Sequence, residues 1–164
     1  MMFLFCAALL AAEPTTEELA YKVIKENNKT AMACTSHAKG TFGSVMPYSL
    51  DKGRPVVLIS DLAVHTKNIQ NNAKVSIFVM NDRSDLNSPR VTIMGKMVLV
   101  PEKELAEIKK TYFKEFPQAQ IYEQFHDFNF YRLEISAIYY VGGFGPKAIE
   151  WINVEKYQEA AKGP

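Results

Sequence analysis

Three runs with alternating apolar residues decide what this chain can become: KVSIFVM at 74–80, RVTIMGKMVLV at 90–100 and FYRLEISAIYYV at 130–141. In the first, Val75, Ile77 and Val79 recur with a period of two, which places them on one face of a strand. The second alternates over eleven residues, and Gly95 within it marks a bulge or a close backbone approach. Upstream, TAMACTS, HAKG and TFGSVMPYSL read as strand, tight turn and strand, with Gly40 suited to the turn. DKGRP at 51–55 is a second turn and leads into the strand VVLIS. Six strands in hairpin succession with few helices between them exclude a parallel doubly wound sheet. The expectation is a mainly β (α+β) domain, a closed or nearly closed antiparallel barrel with peripheral helices.

The helices announce themselves by a different period. Thr15-x-x-Glu18 is a capping box, and Leu19, Val23 and Ile24 form an apolar stripe, so a helix runs to about Asn28. In PEKELAEIKKTYFKEF at 101–116, Pro101 sits in the first turn and Leu105, Ile108, Tyr112 and Phe116 share one face. Pro117 ends that helix. A short segment, Ile149-Glu150-Trp151-Ile152, precedes a closing helix near Val154–Ala161. No repeat or linker interrupts the chain, so its 164 residues make one domain at 13–164. A domain of this size buries roughly 70% of its unfolded surface and needs no metal or disulfide staple.

Residues 1–12, MMFLFCAALLAA, are too short to span a bilayer, which takes about 20 residues. They resemble the apolar core of a signal peptide, although no basic segment precedes it. The expectation is an exported, secreted or periplasmic protein if this leader is real, and a cytoplasmic one otherwise. Removal of the leader takes Cys6 and leaves Cys34 alone, so no internal disulfide forms. Asn28-Lys29-Thr30 is a glycosylation sequon. A formal net charge of +1 without a basic stripe argues against a nucleic-acid partner.

The chemistry is narrowed first by what is missing. No dinucleotide loop, P-loop, nucleophile elbow or H-E-x-x-H occurs, and three histidines and two cysteines, widely spaced, do not make a structural zinc site. Gly142-Gly143-Phe144-Gly145 reads as a turn requiring positive φ. One polar cluster stands out, His65-Thr66-Lys67-Asn68, where a strand ending at Ser60 gives way to a short helix. Hydroxyls, an ammonium group and free N–H groups at a helix start suit a phosphate or carboxylate. A solvated helix start fits the same residues.

LISDLAVHTKNIQNNAKVSIFV at 58–79, with SPRVTIMGKMVLV after it, resembles the pyridoxamine 5′-phosphate oxidase-like FMN-binding split-barrel superfamily. Within it, His65-Thr66-Lys67-Asn68, Arg90 and HDFNFYRLEISAIYYVGGFG at 126–145 are most similar to the haem-utilisation proteins of the HugZ/HutZ type. HDFNFYRLEIS and the Gly145-Pro146-Lys147 triplet also resemble the secreted CREG glycoproteins. The resemblance covers about residues 30–155. It implies a six-stranded antiparallel split β-barrel and a homodimer, with a small-molecule cofactor, FMN or haem, at the subunit interface.

Carried over by position, Thr66 and Lys67 face the flavin phosphate, and Ile59 and Ser60 lie at the preceding strand end. Ser44, Val45 and Met46 present backbone to the ring edge, and Arg90 and Tyr140 stand where the oxidases have glutamine and tryptophan. The oxidases' Arg-x-His substrate motif is replaced by FGPKAIEW, so vitamin B6 oxidation is not expected and no catalytic residue is assigned. The haem-degrading branch takes its axial histidine from a tail beyond the barrel. No histidine follows His126 here, so haem iron would need His65, His126 or an outside ligand; no other metal is expected. Three readings follow: a flavin-dependent oxidoreductase, a haem-binding protein, and a CREG-like interaction protein without cofactor.

Overall fold

The computed structural model describes residues 13–27, 29–145 and 149–163. The leader at 1–12, Asn28 of the sequon, and Pro146-Lys147 lie outside the described residues.

Helix α1, Thr16–Glu26, begins at the expected capping box: the Glu18 N–H donates to Thr15 Oγ1 at 3.3 Å, and the Thr15 N–H donates to Glu18 Oε2 at 2.8 Å. Strands β1, Thr30–His37, and β2, Gly40–Pro47, pair through all eight residues of each. Gly40, at φ 125°, permits the reversal between them. Strand β3, Ser49–Asp51, pairs with β4, Arg54–Ser60, across the DKGRP turn. Helix α2, Val64–Asn71, leads to β5, Lys74–Met80, and then β6, Arg90–Leu99. Helix α3, Glu102–Glu115, a 3-10 helix at Pro117–Gln124, strand β7, Phe128–Val141, strand β8, Ile149–Ile152, and helix α4, Val154–Ala160, complete the chain.

All the ladders are antiparallel, and the order is β2-β1-β5-β6-β7-β4-β3, with β8 added to β7. The fourteen residues of β7 are the spine: their first part pairs with β4 and their last with β8, while β6 runs along nearly all of them. The two ends of the order, β2 and β3, are joined through Tyr48, so the sheet must curl to bring them together. Tyr48 is fully buried and its hydroxyl donates to the Ile24 carbonyl at 2.5 Å, which ties the curl to α1.

The six expected strands are present and two short ones are added, making eight among the described residues. The run TFGSVMPYSL, read as one strand, divides at Tyr48 because the chain leaves β1 and crosses to β4. Gly95 sits at the expected irregularity. The β6–β7 register shifts between Met94 and Gly95, and a Cβ at Gly95 would lie 2.1 Å from the Glu134 carbonyl oxygen.

Alternation along the strands gives the sheet two faces. Ile77, Ile93, Leu133 and Ile138 lie on the inner face with Val23 and Ile24 of α1, in the larger core. The outer face at the β4 end is roofed by α3, where Ile108, Tyr112 and Phe113 pack with Val56 and Phe130. Tyr112 meets Phe130 edge-on at 5.3 Å between ring centroids. Among the described residues, no helix is long and apolar enough to cross a membrane.

Candidate functional site

Helix α2 sits on β1 because its inward residues bury there. Ile69 enters the larger core, and Asn68 Nδ2 donates to Thr35 Oγ1 at 3.0 Å. Its entry is held by a polar knot. Ser60 Oγ donates to an Asp127 carboxylate oxygen and accepts the Leu62 N–H at 3.1 Å. Asp61 accepts from Asn129 Nδ2 at 2.9 Å and from Gln70 Nε2 at 3.1 Å. The helix start is thereby locked to the first residues of β7. No side chain caps the helix, whose N-cap residue is Ala63, so its first N–H groups remain free for another acceptor.

The H-T-K-N cluster divides between two environments. Thr66 is 0% exposed and turns inward with Asn68, whereas Lys67 is exposed. His65 is half-buried, and burial lowers its pKa, so the ring is neutral at neutral pH. Three residues of the expected site carry buried polar atoms without a hydrogen-bond partner among the described residues: Ser44 Oγ, His65 Nε2 and Thr66 Oγ1. Buried polar atoms are nearly always paired, so three orphans in one predicted set are unusual.

Lys67 lines a cavity of about 480 Å³ with Ser36 and His37 from the end of β1 and with Val64 and Asn71 of its own helix. It has no ionic partner among the described residues. His37 Nδ1 accepts the Lys39 N–H at 3.1 Å, which leaves Nε2 as the N–H donor. Sequence reasoning passed over His37 because HAKG was read only as a turn. The one available signal was a histidine in a hairpin otherwise built of small and basic residues.

The other expected residues lie elsewhere on the chain. Ile59 and Met46 are buried in the larger core, and Ser44 faces inward beside them along β2. Val45 points outward and is 58% exposed. Arg90 Nη1 donates to the Leu86 carbonyl at 2.7 Å and so closes the 81–89 loop. Tyr140 is buried on the inner face, and burial raises its pKa. His126 is exposed in the turn before β7, one residue from the Asp127 that holds Ser60. Ser60 pairs with Phe128 and Arg90 with Val141, at opposite ends of β7, a strand path of roughly 40 Å at about 3.3 Å per residue. One chain therefore brings together Ser60, His65, Thr66 and Lys67, and leaves Arg90 and Tyr140 at the far end. Among the described residues, no group of three or more His, Cys, Asp or Glu is placed to hold a metal ion.

The outer face between those ends carries a continuous lateral row. Val45 pairs with Met32, Met32 with Phe78, Phe78 with Thr92, Thr92 with Tyr139, and Tyr139 with Trp151. Met32 is 43% and Trp151 63% exposed, and the Tyr139 and Trp151 rings lie 4.9 Å apart.

The fold and this sequence have known counterparts. The chain is 34% identical over 125 residues to the chloroplastic non-canonical heme oxygenase HOZ of Arabidopsis thaliana, spanning 74% of this chain but only 39% of that protein. The solved heme-binding protein of Mycobacterium smegmatis superposes with a TM-score of 0.82 at 25% identity, over 91% of this chain and 62% of the other. The heme storage protein HutZ of Vibrio cholerae superposes with a TM-score of 0.62, also at 25% identity, over 70% of this chain and 87% of its own. A family model described as "CREG, beta-barrel" matches residues 13–159. A split barrel with these relatives, matched along nearly its whole length by that model, belongs to the CREG β-barrel family.

Proposed function

We propose that the protein binds haem and works as a homodimer. The observation that carries the reading is the pairing of Lys67 and His37 in one cavity of about 480 Å³. An ammonium without an ionic partner and an imidazole N–H donor suit a haem carboxylate, since charge-assisted hydrogen bonds are the strong ones. The haem-binding relatives support the same ligand.

The fit differs between the two ends of such a ligand. For the carboxylates, Lys67 and His37 are accessible and chemically apt. For the iron, His65 has the neutral form that ligation requires, but its Nε2 is enclosed and comes free only if the first turn of α2 shifts. His126 is exposed and needs no such shift. Bound haem would supply the redox centre, and the work of this chain is to hold its carboxylates and shape the cavity.

The homodimer rests on the row from Val45 to Trp151. Large exposed apolar patches mark association surfaces, and a twofold partner meets a sheet face with the same face of its own. Arg90, remote from Lys67 on one chain, would join a shared site if the partner supplies it, whereas Tyr140 stays in the inner core.

FMN is the second reading. The uncapped start of α2 beside Lys67 favours it, because free N–H groups and an ammonium also suit a phosphate dianion.

Parallel titrations with haem and FMN test both readings. Lys67→Ala should weaken haem binding by roughly 10- to 150-fold, the equivalent of about 1.5–3 kcal/mol for one charged contact. Equal affinity in wild type and Lys67→Ala would refute the cavity as the site. Tighter binding of FMN than of haem would replace the first reading with the second. Loss of the haem Soret shift in His126→Ala but not His65→Ala would identify the iron ligand.

A further inference from the structure

We propose a second anion site on the outer face of the sheet, beside the row assigned to the twofold partner, built around Lys74 and Lys96 and shaped for a ligand with an apolar body and paired carboxylates. It adjoins the cavity at Lys67 through Ser36, which lines both, but draws its charge from other lysines.

Three observations carry it. Lys74 and Lys96 are direct cross-strand partners on β5 and β6, both exposed, and neither ammonium has an ionic partner among the described residues. Like charges placed directly opposite each other destabilise a sheet, so a bound dianion would relieve a repulsion as well as gain two contacts. The carboxylate nearest in register, Glu134 opposite Lys96, is already engaged by Arg54 at 3.3 Å and Arg132 at 3.1 Å.

Second, the pair borders a cavity of about 530 Å³, within the size range of small-molecule sites. Its walls include Cys34, Ser76 and Met94, which are consecutive cross-strand partners and form a shelf beside the lysines that is apolar at Cys34 and Met94. Ser36 and Ser136 add hydroxyls at its margin.

Third, the β6–β7 bulge lies in this wall. It leaves Ser136 as the unpaired residue between Ala137 and Ile135, and Ser136 Oγ donates to the Met94 carbonyl at 3.2 Å. A bulge re-aims side chains at the surface where it occurs, and this one opens the sheet face where the two charges stand.

Metal-free protoporphyrin IX is the probe, because it offers two carboxylates on a flat apolar body and removes iron ligation from the experiment. Binding is followed by fluorescence in wild type, Lys67→Ala, and the double variant Lys74→Met with Lys96→Met. Alkylation of Cys34 by iodoacetamide, located by peptide mass mapping, reports occupancy of this cavity. The double variant should bind at least tenfold more weakly and lose ligand protection of Cys34, while Lys67→Ala retains that protection. Without ligand, its Tm should rise by about 1–3 °C as the repulsion is removed; a fall of several degrees would show that the lysines serve the fold. Unchanged affinity in the double variant, or loss of Cys34 protection in Lys67→Ala alone, overturns the proposal. Failure of haem to bind at Lys67 would leave the Cys34 readout unaffected.

Discussion

The outer face of the sheet is treated in two ways by the same chain. At the β4 end, Val56 and Phe130 lie beneath α3, and Tyr112, Phe113 and Phe116 close over them in a cluster of edge and tilted aromatic contacts. At the β1–β5–β8 end, Met32, Phe78, Tyr139 and Trp151 occupy equivalent outward positions with no covering helix among the described residues. Both ends are apolar, so the pattern of a strand does not say whether its own chain covers it. The covered end is closed by the chain's own helix, and the open end is where the proposed association and ligands fall.

Charge separates the ends further. Arg132, which is 7% exposed, lies under α3 and bonds Asp51 at 3.0 Å, Glu104 at 2.6 Å and Glu134 at 3.1 Å, tying the helix to the β3–β4 turn and β7. Lys74 and Lys96, farther along the same face, have no such partners among the described residues.

The largest expected effect lies at the covered end. Tyr112→Ala should cost about 3–5 kcal/mol in urea unfolding, because a fully packed aromatic leaves a cavity the roof cannot collapse into. A cost below about 1 kcal/mol would mean that α3 is a loose cover and the contrast between the ends is false. Arg132→Met should cost about 2–3 kcal/mol; breaking a buried pair costs about 3–5 kcal/mol, and the partly exposed carboxylates here recover some hydration. Its unfolding curve, compared with that of Tyr112→Ala, separates the polar tie from the aromatic packing.

Phe78→Asp acts at the open end. It should cost the monomer about 1–2 kcal/mol, since Phe78 is half-buried in a central strand, yet weaken self-association at least tenfold, about 1.4 kcal/mol or more, by sedimentation equilibrium. Loss of folding without any wild-type association would make this face part of the core instead.

The smallest effect is a pH dependence. The Arg132 hydrogen bond holds the Glu104 carboxyl below its usual range. A depressed folded pKa contributes stability above the unfolded value and loses it as pH falls through the folded one. Glu104→Gln should therefore flatten the acid limb of the stability profile, from just above pH 4 downward, and leave its slope at neutral pH unchanged. An unaltered acid limb would show that Glu104 adds nothing to the tie.

Much of this architecture is legible from local pattern. The alternation in β5, β6 and β7, the capping box at Thr15, the face of α3 from Leu105 to Phe116, and the special role of Gly95 all follow from periods and residue geometry that need no distant partner. The division of TFGSVMPYSL at Tyr48 was not legible, because it depends on β4 being available across the curl. The site was legible in part. The polar cluster at 65–68 sits at a helix start, as expected, but helix packing alone sends Thr66 inward and Lys67 outward. His37 joins Lys67 only because the end of β1 lies beside α2.

By itself, the sequence determined a mainly β, antiparallel domain with peripheral amphipathic helices and an anion-suited helix start, since periodicity, capping and turn chemistry act over a few residues. Which apolar strand face is covered, which polar atoms are left unpaired, and which lysines confront each other were decided by tertiary structure. Those outcomes depend on register between segments far apart in the chain, and a register is set by the burial and hydrogen bonding of both partners together.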